Sequence, residues 1–555
     1  DPLSNAAQTD MNRLGGVASV QYLNESPKNT SDVFFSYDHL GNRLSMTEKN
    51  GATTVRRTEF GYDRANRLAR AAFDSNGDGT VDETVQYSYE AGGQRTKLTL
   101  PDGKTVSYGY DARGRLISLM DWASQAASYD YDSAGRTKKV SRSGIDSLYS
   151  YDAASRLTLL EHKVNASGAT LGKFAYTLNA RGDRAQAYEI VKKNGTGQDE
   201  HTFVYGYDGL RRARTAQQYA GTATSGTALR EYSHAFDVAS NRTQQVVTIS
   251  GTPTTTNYTY DDANRLSSAG YSYDNAGRMT SDGTNTYAWD RASRLLSMGG
   301  ASYAYDGAGR RVRQTVGANM TNYLLDVSMG LWETLTATTG ANVTRYVHDP
   351  RGLLSQHDGT NWDWMLADGL GSVRNVVDSS ANVLWSSHYA PYGSPFGSTG
   401  TAQTAYGFTG EPTDGNGLVY LRNRYYAPGI GVFASVDPLE TANRYAYVGG
   451  NVVNATDPSG LVTRRMIDVD EARAVAPRYV APPTTRATTT VTRSTATTMA
   501  LQAYRAGERS AGTTQHGGNP GSPNNTTTLL RAQTTSTPVS ANDSLAFTAN
   551  LLNLG

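Results

Sequence analysis

One phrase recurs along this chain and limits what it can become. It reads YDHLGNRL at 37–44, YDRANRL at 62–68, YDARGRL at 110–116, YDSAGRT at 131–137 and YDAASRL at 151–157. It returns as FDVASNRT at 236–243, YDDANRL at 260–266, YDNAGRM at 273–279, WDRASRL at 289–295 and YDGAGRR at 305–311. Looser copies stand at Tyr89-Glu90, Leu178-Asn179 and Tyr207-Asp208, and successive copies lie 13 to 29 residues apart. That interval fits a strand, a turn and a returning strand, the unit of a repeat architecture.

Read residue by residue, the phrase is a hairpin corner. The aromatic residue ends one strand, and the Asp carboxylate can turn back onto backbone amides ahead of it, as in an Asx turn. Three residues after Asp stands Gly (Gly41, Gly114, Gly135, Gly277, Gly309) or Asn (Asn66, Asn264), the residues that best tolerate positive φ. Ser155, Ser240 and Ser293 hold that place less comfortably. The Arg and the residue after it then point to opposite faces of the returning strand. Doublets such as Tyr108 and Tyr110, Tyr258 and Tyr260, and Tyr303 and Tyr305 place two rings on one face. Stacked hairpins should therefore carry ladders of Tyr alternating with Arg, with cation–π contact between them. In this reading the Tyr, Asp and Arg residues hold a sheet together and form no catalytic set.

Composition agrees with β structure: 36 Tyr against 11 Phe, and 56 Gly. Lys and Arg (52) nearly cancel Asp and Glu (51), so charge gives no reason to expect nucleic acid as a partner. There is no cysteine, which removes disulfides, thiolate ligands and Cys nucleophiles. No run of about 18 apolar residues exists, so no membrane-spanning helix is expected. The opening DPLSNAAQTD has neither an initiator Met nor a signal pattern, and the chain reads as a fragment or processed product.

The repeated phrase resembles the YD repeat of the RHS family, bacterial proteins similar in architecture to the C component of Tc insecticidal toxins and to the barrel of teneurins. The resemblance covers roughly residues 30 to 461. It implies an all-β fold of spirally wound antiparallel β-hairpin repeats forming a hollow shell or barrel, here with an irregular C-terminal tail. Residues 1–30 read as a lead-in, 31–344 as YD repeats, 345–461 as an RHS-associated core domain and 462–555 as a Thr/Ala/Arg-rich tail. The core rests on DGLGSVRNVVDSSANVLWSSHYAPYG (368–393), YGFTGEPTDGNGLVYLRNRYYAPGIGVFASVDP (406–438) and NRYAYVGGNVVNATDPSGL (443–461).

In this family the core end can cut the chain through a pair of aspartates. Carried over, the pair is Asp437 and Asp457, and the cut falls between Leu461 and Val462. Two close carboxylates cannot both ionise cheaply, so one stays protonated to polarise a carbonyl while the other activates water. Here the pattern departs: Val436 stands where relatives often carry Arg, Glu440 where they carry Gly, GVF at 431–433 replaces GRF, and Val452-Val453 replaces NP. Loss of the arginine next to Asp437 is expected to remove a cation that could bias the pair. The competing reading is that both Asp-Pro turns only stop strands.

The tail, 462–555, holds nine Arg, no Lys and five acidic residues, a local charge of +4, and lacks the apolar period of a folding domain. It reads either as cargo enclosed by the shell or as a strap lying on the shell or on an identical subunit. FDSNGDGTVDE at 73–83 places Asp74, Asn76, Asp78 and Asp82 as oxygen ligands at calcium-loop spacing, although Val85 stands where an EF-hand needs a bidentate Glu. Ca²⁺ is the one cofactor suggested. Searches for G-x-S-x-G, H-E-x-x-H and Walker A patterns find none, and GATLGK at 168–173 has the wrong spacing for phosphate. His348-Asp349 and His357-Asp358 read as surface pairs.

Two functions follow. The first is an exported bacterial shell, extracellular or at the cell surface, that encloses or supports its own C-terminal segment, can cut itself after Leu461, and is closed by a partner or by identical subunits. The second is a non-catalytic structural protein of a surface or filament, with the tail as assembly strap.

Overall fold

The computed structural model describes residues 7–465, apart from 14, 24, 26–27, 402–403 and 440–442. These residues belong to one compact unit. Nearly all regular structure is antiparallel strand, and only two short 3₁₀ turns, Phe408–Gly410 and Tyr447–Gly450, interrupt it among the described residues.

Twenty-one strands from Ala7–Met11 to Thr252–Asn257 form one sheet, and twelve from Tyr287–Trp289 to Pro395–Gly400 form a second. In both, each strand pairs with its immediate neighbours in sequence, so the chain is a meander with no crossovers. A two-stranded hairpin, Tyr271–Tyr273 with Met279–Asp282, stands between them. The strand pairing crosses the boundaries read from sequence: the lead-in supplies Ala7–Met11 and Val17–Tyr22, and position 345 lies within Asn342–Asp349.

The corner is the same object each time. The aromatic residue pairs with the residue six ahead, and the register shifts by one at that step: Tyr62 with Leu68, Tyr131 with Thr137, Trp289 with Leu295, Tyr305 with Arg311. The Asp Oδ1 accepts the amides two and four ahead, and Oδ2 accepts the Arg Nε, as at Asp111, Asp152 and Asp306. The residue three ahead takes positive φ whether it is Gly114 (77°), Asn66 (66°) or Ser293 (60°). Asn42 and Asn241 replace the Arg and bond both their own Asp and the Asn of the next corner.

Successive corners are stitched in series. The Tyr131 hydroxyl donates to the Leu116 carbonyl at 2.7 Å and that of Tyr151 to Thr137 at 2.9 Å, while Trp289 uses its indole N–H on Met279 at 2.7 Å. Corner arginines lie over the next corner's ring, as with Arg115 over Tyr131 at 4.4 Å and Arg136 over Tyr151 at 4.8 Å. The expected Tyr–Arg ladder is present, with these corner hydroxyls bonded to backbone carbonyls.

The ribbon returns upon itself. Val85, Tyr87, Leu98, Tyr129 and Ile145 of the first sheet share a core with Leu324, Leu335, Val347, Trp364 and Val377 of the second. Ion pairs such as Arg95 with Asp326 and Arg345 with Asp102 also tie the two sheets. After Gly400 the ribbon gives way to short pieces: Val419–Leu421, Arg424–Ala427 and Val432–Phe433 form a small sheet, and Ala455–Thr456 pairs with Arg464–Arg465.

Candidate functional site

The stretch LRNR, 421–424, ends one strand and begins the next, and its side chains hold the boundary segment. Arg422 Nη1 donates to the Pro458 carbonyl at 2.6 Å, Asn423 Nδ2 to Ser459 at 3.0 Å, and Arg424 Nε to Gly460. Three consecutive residues thus grip three consecutive carbonyls just ahead of Leu461. Arg422 is fixed in turn by Glu411 at 2.8 Å and Glu333 at 3.1 Å. Asp457 makes a corner like those of the repeats, with the Gly460 amide on its carbonyl and Gly460 at φ 71°.

Asp437 and Asp457 meet at Arg424. Its Nη2 lies 2.9 Å from Asp437 Oδ2 and 3.7 Å from Asp457 Oδ2, and all three residues are buried. The guanidinium packs over the Phe433 ring at 3.5 Å and its Nη1 donates to the Arg444 carbonyl at 3.0 Å. Asp457 Oδ1 accepts the amides of Leu461 and Val462, each at 3.1 Å, and the Ser459 hydroxyl at 3.1 Å. Its carboxylate therefore touches the nitrogen of the Leu461–Val462 peptide. Burial pushes both carboxyls above their ordinary range, against the pull of Arg424; for Asp437 the neighbouring Asp457 charge adds to the rise. Burial also lowers Arg424.

The sequence pair is thus brought together. The expectation that Val436 costs the site its cation is corrected: Arg424, on a strand thirteen residues before Asp437, supplies it. Nothing in the spacing of LRNRYY marks Arg424 as part of the pair. The one available signal was two arginines in a segment otherwise suited to a buried strand.

Asp74, Asn76, Asp78 and Asp82 share one turn, but their oxygens face amides of that turn. Asp74 accepts Gly77 at 2.7 Å and Gly79 at 2.9 Å, Asn76 accepts Asp78 at 2.9 Å, Asp78 accepts Thr80 at 2.7 Å, and Asp82 accepts Ser75 at 2.7 Å. The donor set is all oxygen, as a hard cation requires, with lone pairs left over after these bonds.

His348-Asp349 is no surface pair. Asp349 binds Arg351 at 2.6 Å and accepts the Tyr129 hydroxyl at 3.2 Å inside the seam of the two sheets, and His348 Nε2 meets the Thr334 carbonyl at 2.9 Å. The tail beyond Arg465 lies outside the described residues.

The family model for the RHS Repeat matches residues 89–126. Salivary gland surface protein 1 of Aedes aegypti is 35% identical over 130 residues, 22% of this chain and 4% of that protein. Toxin subunit YenC2 of Yersinia entomophaga is 33% identical over 106 residues, 18% of this chain and 11% of that protein. The crystal structure of TcdB2-TccC3 without hypervariable C-terminal region aligns over 82% of this chain and 27% of that chain, with a TM-score of 0.65 and 17% identity. The chain spans a small part of the relatives it matches, and the structural likeness shows the fold.

Proposed function

We propose, from the RHS repeat matched at residues 89–126 and the all-β shell fold, that the core end of this chain is an intramolecular aspartyl protease that severs the tail, residues 462–555, from the shell. The observation that carries this reading is Arg424 touching both buried carboxylates while Asp457 meets the Val462 amide. Water adds to the Leu461 carbonyl carbon, the C–N bond to Val462 breaks, and the new amine takes a proton. Arg424 lies nearer Asp437 and favours its ionised form, which makes Asp437 the base that takes the water proton. Asp457, farther from the cation and against the leaving nitrogen, is the acid. The carbonyl clamp of residues 422–424 keeps the bond in place, so no binding step is needed.

The wider role we infer is that of an exported shell that carries its C-terminal segment, with a partner or identical subunits closing it. Toxin subunit YenC2, and a structural neighbour described with a hypervariable C-terminal region, support that reading. Intact mass of the purified chain tests it. The expected result is a product beginning at Val462, absent in Asp457→Asn and Asp437→Asn and slowed at least a hundredfold in Arg424→Gln. A chain that stays whole and forms regular polymers turns the reading to the scaffold.

A further inference from the structure

Outside the boundary site, a cluster of buried charged and titratable groups sits where the two sheets meet. Glu189 on strand Arg184–Lys192 stands opposite His201 on Gln198–Tyr207, with His201 Nε2 3.2 Å from Glu189 Oε2. From the second sheet, Arg374 on Val373–Val377 brings Nη2 to 2.7 Å from Glu189 Oε2 and 2.8 Å from His388 Nδ1. His388, on Val383–Tyr389, is 2% exposed, lies 4.9 Å from the His201 ring and meets Asp199 Oδ2 through Nε2 at 3.1 Å. Asp368 holds the other side of Arg374 at 3.1 Å, and Lys193 holds Asp199 at 2.7 Å. Phe396 stacks on His388 from the next strand, and Arg230 lies over the Phe396 ring at 4.5 Å.

Glu189, His201 and His388 bring their ligand atoms within 4.8 Å of one another, close enough to gather around a metal ion. Arg374 already fills that place with a fixed cation. A guanidinium can only donate, so the Nδ1 facing it must accept. His388 is therefore neutral, with its proton on Nε2 directed at Asp199. A second proton would set Nδ1–H against the guanidinium at the same 2.8 Å, and one of the two must leave.

We propose that this cluster is an acid-released clasp: at neutral pH it pins strands 373–377 and 383–389 to strands 184–192 and 198–207, and proton uptake by His388 opens that seam. Burial, assisted by the Arg374 charge, lowers His388 to about 4 from an ordinary 6.5. Although burial alone would raise Glu189, Arg374 holds it well below the usual carboxylate range, and Asp199 is lowered to about 2 by its bond from His388. Neither carboxylate changes charge in mild acid. Asp368, which burial raises, also faces Arg374.

The sign follows from linkage. The open form binds the His388 proton more tightly than the closed form, so closure is fully stable above about pH 6.5 and weakens as pH falls towards 4. Opening should rise roughly thirtyfold between pH 7.5 and 5.0. Hydrogen exchange on the full chain, corrected for intrinsic rates, reads this at residues 184–192 and 383–389. The expected result is that rise in the parent and less than a threefold rise in His388→Gln, which keeps an acceptor for Arg374 and a donor for Asp199. An equal rise in the variant assigns the effect to Asp368 or His201 and overturns the clasp. So does a pH-independent seam, or protection of the seam by added Zn²⁺ alone. If the variant does not fold, NMR titration of ¹³C-labelled histidine in the parent decides: a His388 titrating near 6.5 refutes the proposal, and one near 4 sustains it.

Discussion

At the scale of single residues, the corner aspartate does one job in different surroundings, and its cost of removal should follow burial. The Asp306 side chain is 4% exposed and Asp111 22%, yet both accept two amides and an Arg Nε. Asp306→Ala leaves two amides and a buried guanidinium without their acceptor, and should cost about 3–5 kcal/mol. Asp111→Ala leaves its partners open to water and should cost much less than Asp306→Ala. Urea midpoints of the two variants compare them directly; equal losses would show that the corners do not depend on burial. Asp121 makes a different case. Burial raises it to about 6, against the pull of the Ala123 and Gln125 amides. Its folded value exceeds the ordinary 3.8, so its contribution is present below about pH 3.8 and is lost as pH rises through 6. Asp121→Asn should therefore stabilise the chain at pH 7.5 by on the order of 1 kcal/mol and much less at pH 4, read from Tm at both values.

At the scale of the element, the corner was legible because its demands are local. An Asp, a residue able to take positive φ three places on, and an aromatic residue before it are enough, and even the unfavourable Ser155, Ser240 and Ser293 take the left-handed conformation. Leu178-Asn179 was legible without an aromatic residue, but three further such corners were not: Asp121 with Ser124, Asp378 with Ala381 and Asp414 with Gly417 make the same two backbone bonds after Met120, Val377 and Thr413. The backbone bonds of the turn form without the ring, which serves the neighbouring strand, and at Leu100 and Ala390 they form without a carboxylate as well. Also illegible were the return of the second sheet onto the first and the place of Arg424, because both depend on contacts between distant strands. The 73–83 turn remains testable as a calcium loop. If its oxygens take Ca²⁺, millimolar calcium should raise Tm, a chelator should reverse the rise, and Asp78→Asn should remove it. A Tm indifferent to calcium leaves a turn closed by its own amides.

At the scale of the whole molecule, cutting a chain does not by itself release what has been cut. Residues 464–465 pair with Thr456 and Ala455 on the shell side of the proposed cut, and Arg465 reaches the fully buried Asp183 at 3.5 Å. Asp183 is also held by Arg211, with Arg181 at 3.9 Å, so Arg465 adds a further cation to a carboxylate already matched, and burial lowers Arg465 itself. Among the described residues the anchor includes two residues of strand and one shared ion pair. Hydrolysis after Leu461 leaves Val462 as a new ammonium near Asp457, which now carries charge without a leaving nitrogen to protonate, and that attraction adds to the anchor. The cleaved tail should co-elute with the shell on size exclusion under native conditions and separate in denaturant. Arg465→Ala should speed its loss several-fold without changing the cleavage rate, because Arg465 touches neither Arg424 nor the aspartate pair. Loss at the parent rate in Arg465→Ala would place the retaining contacts beyond residue 465, and immediate loss in the parent would show that the strand pair does not survive the cut.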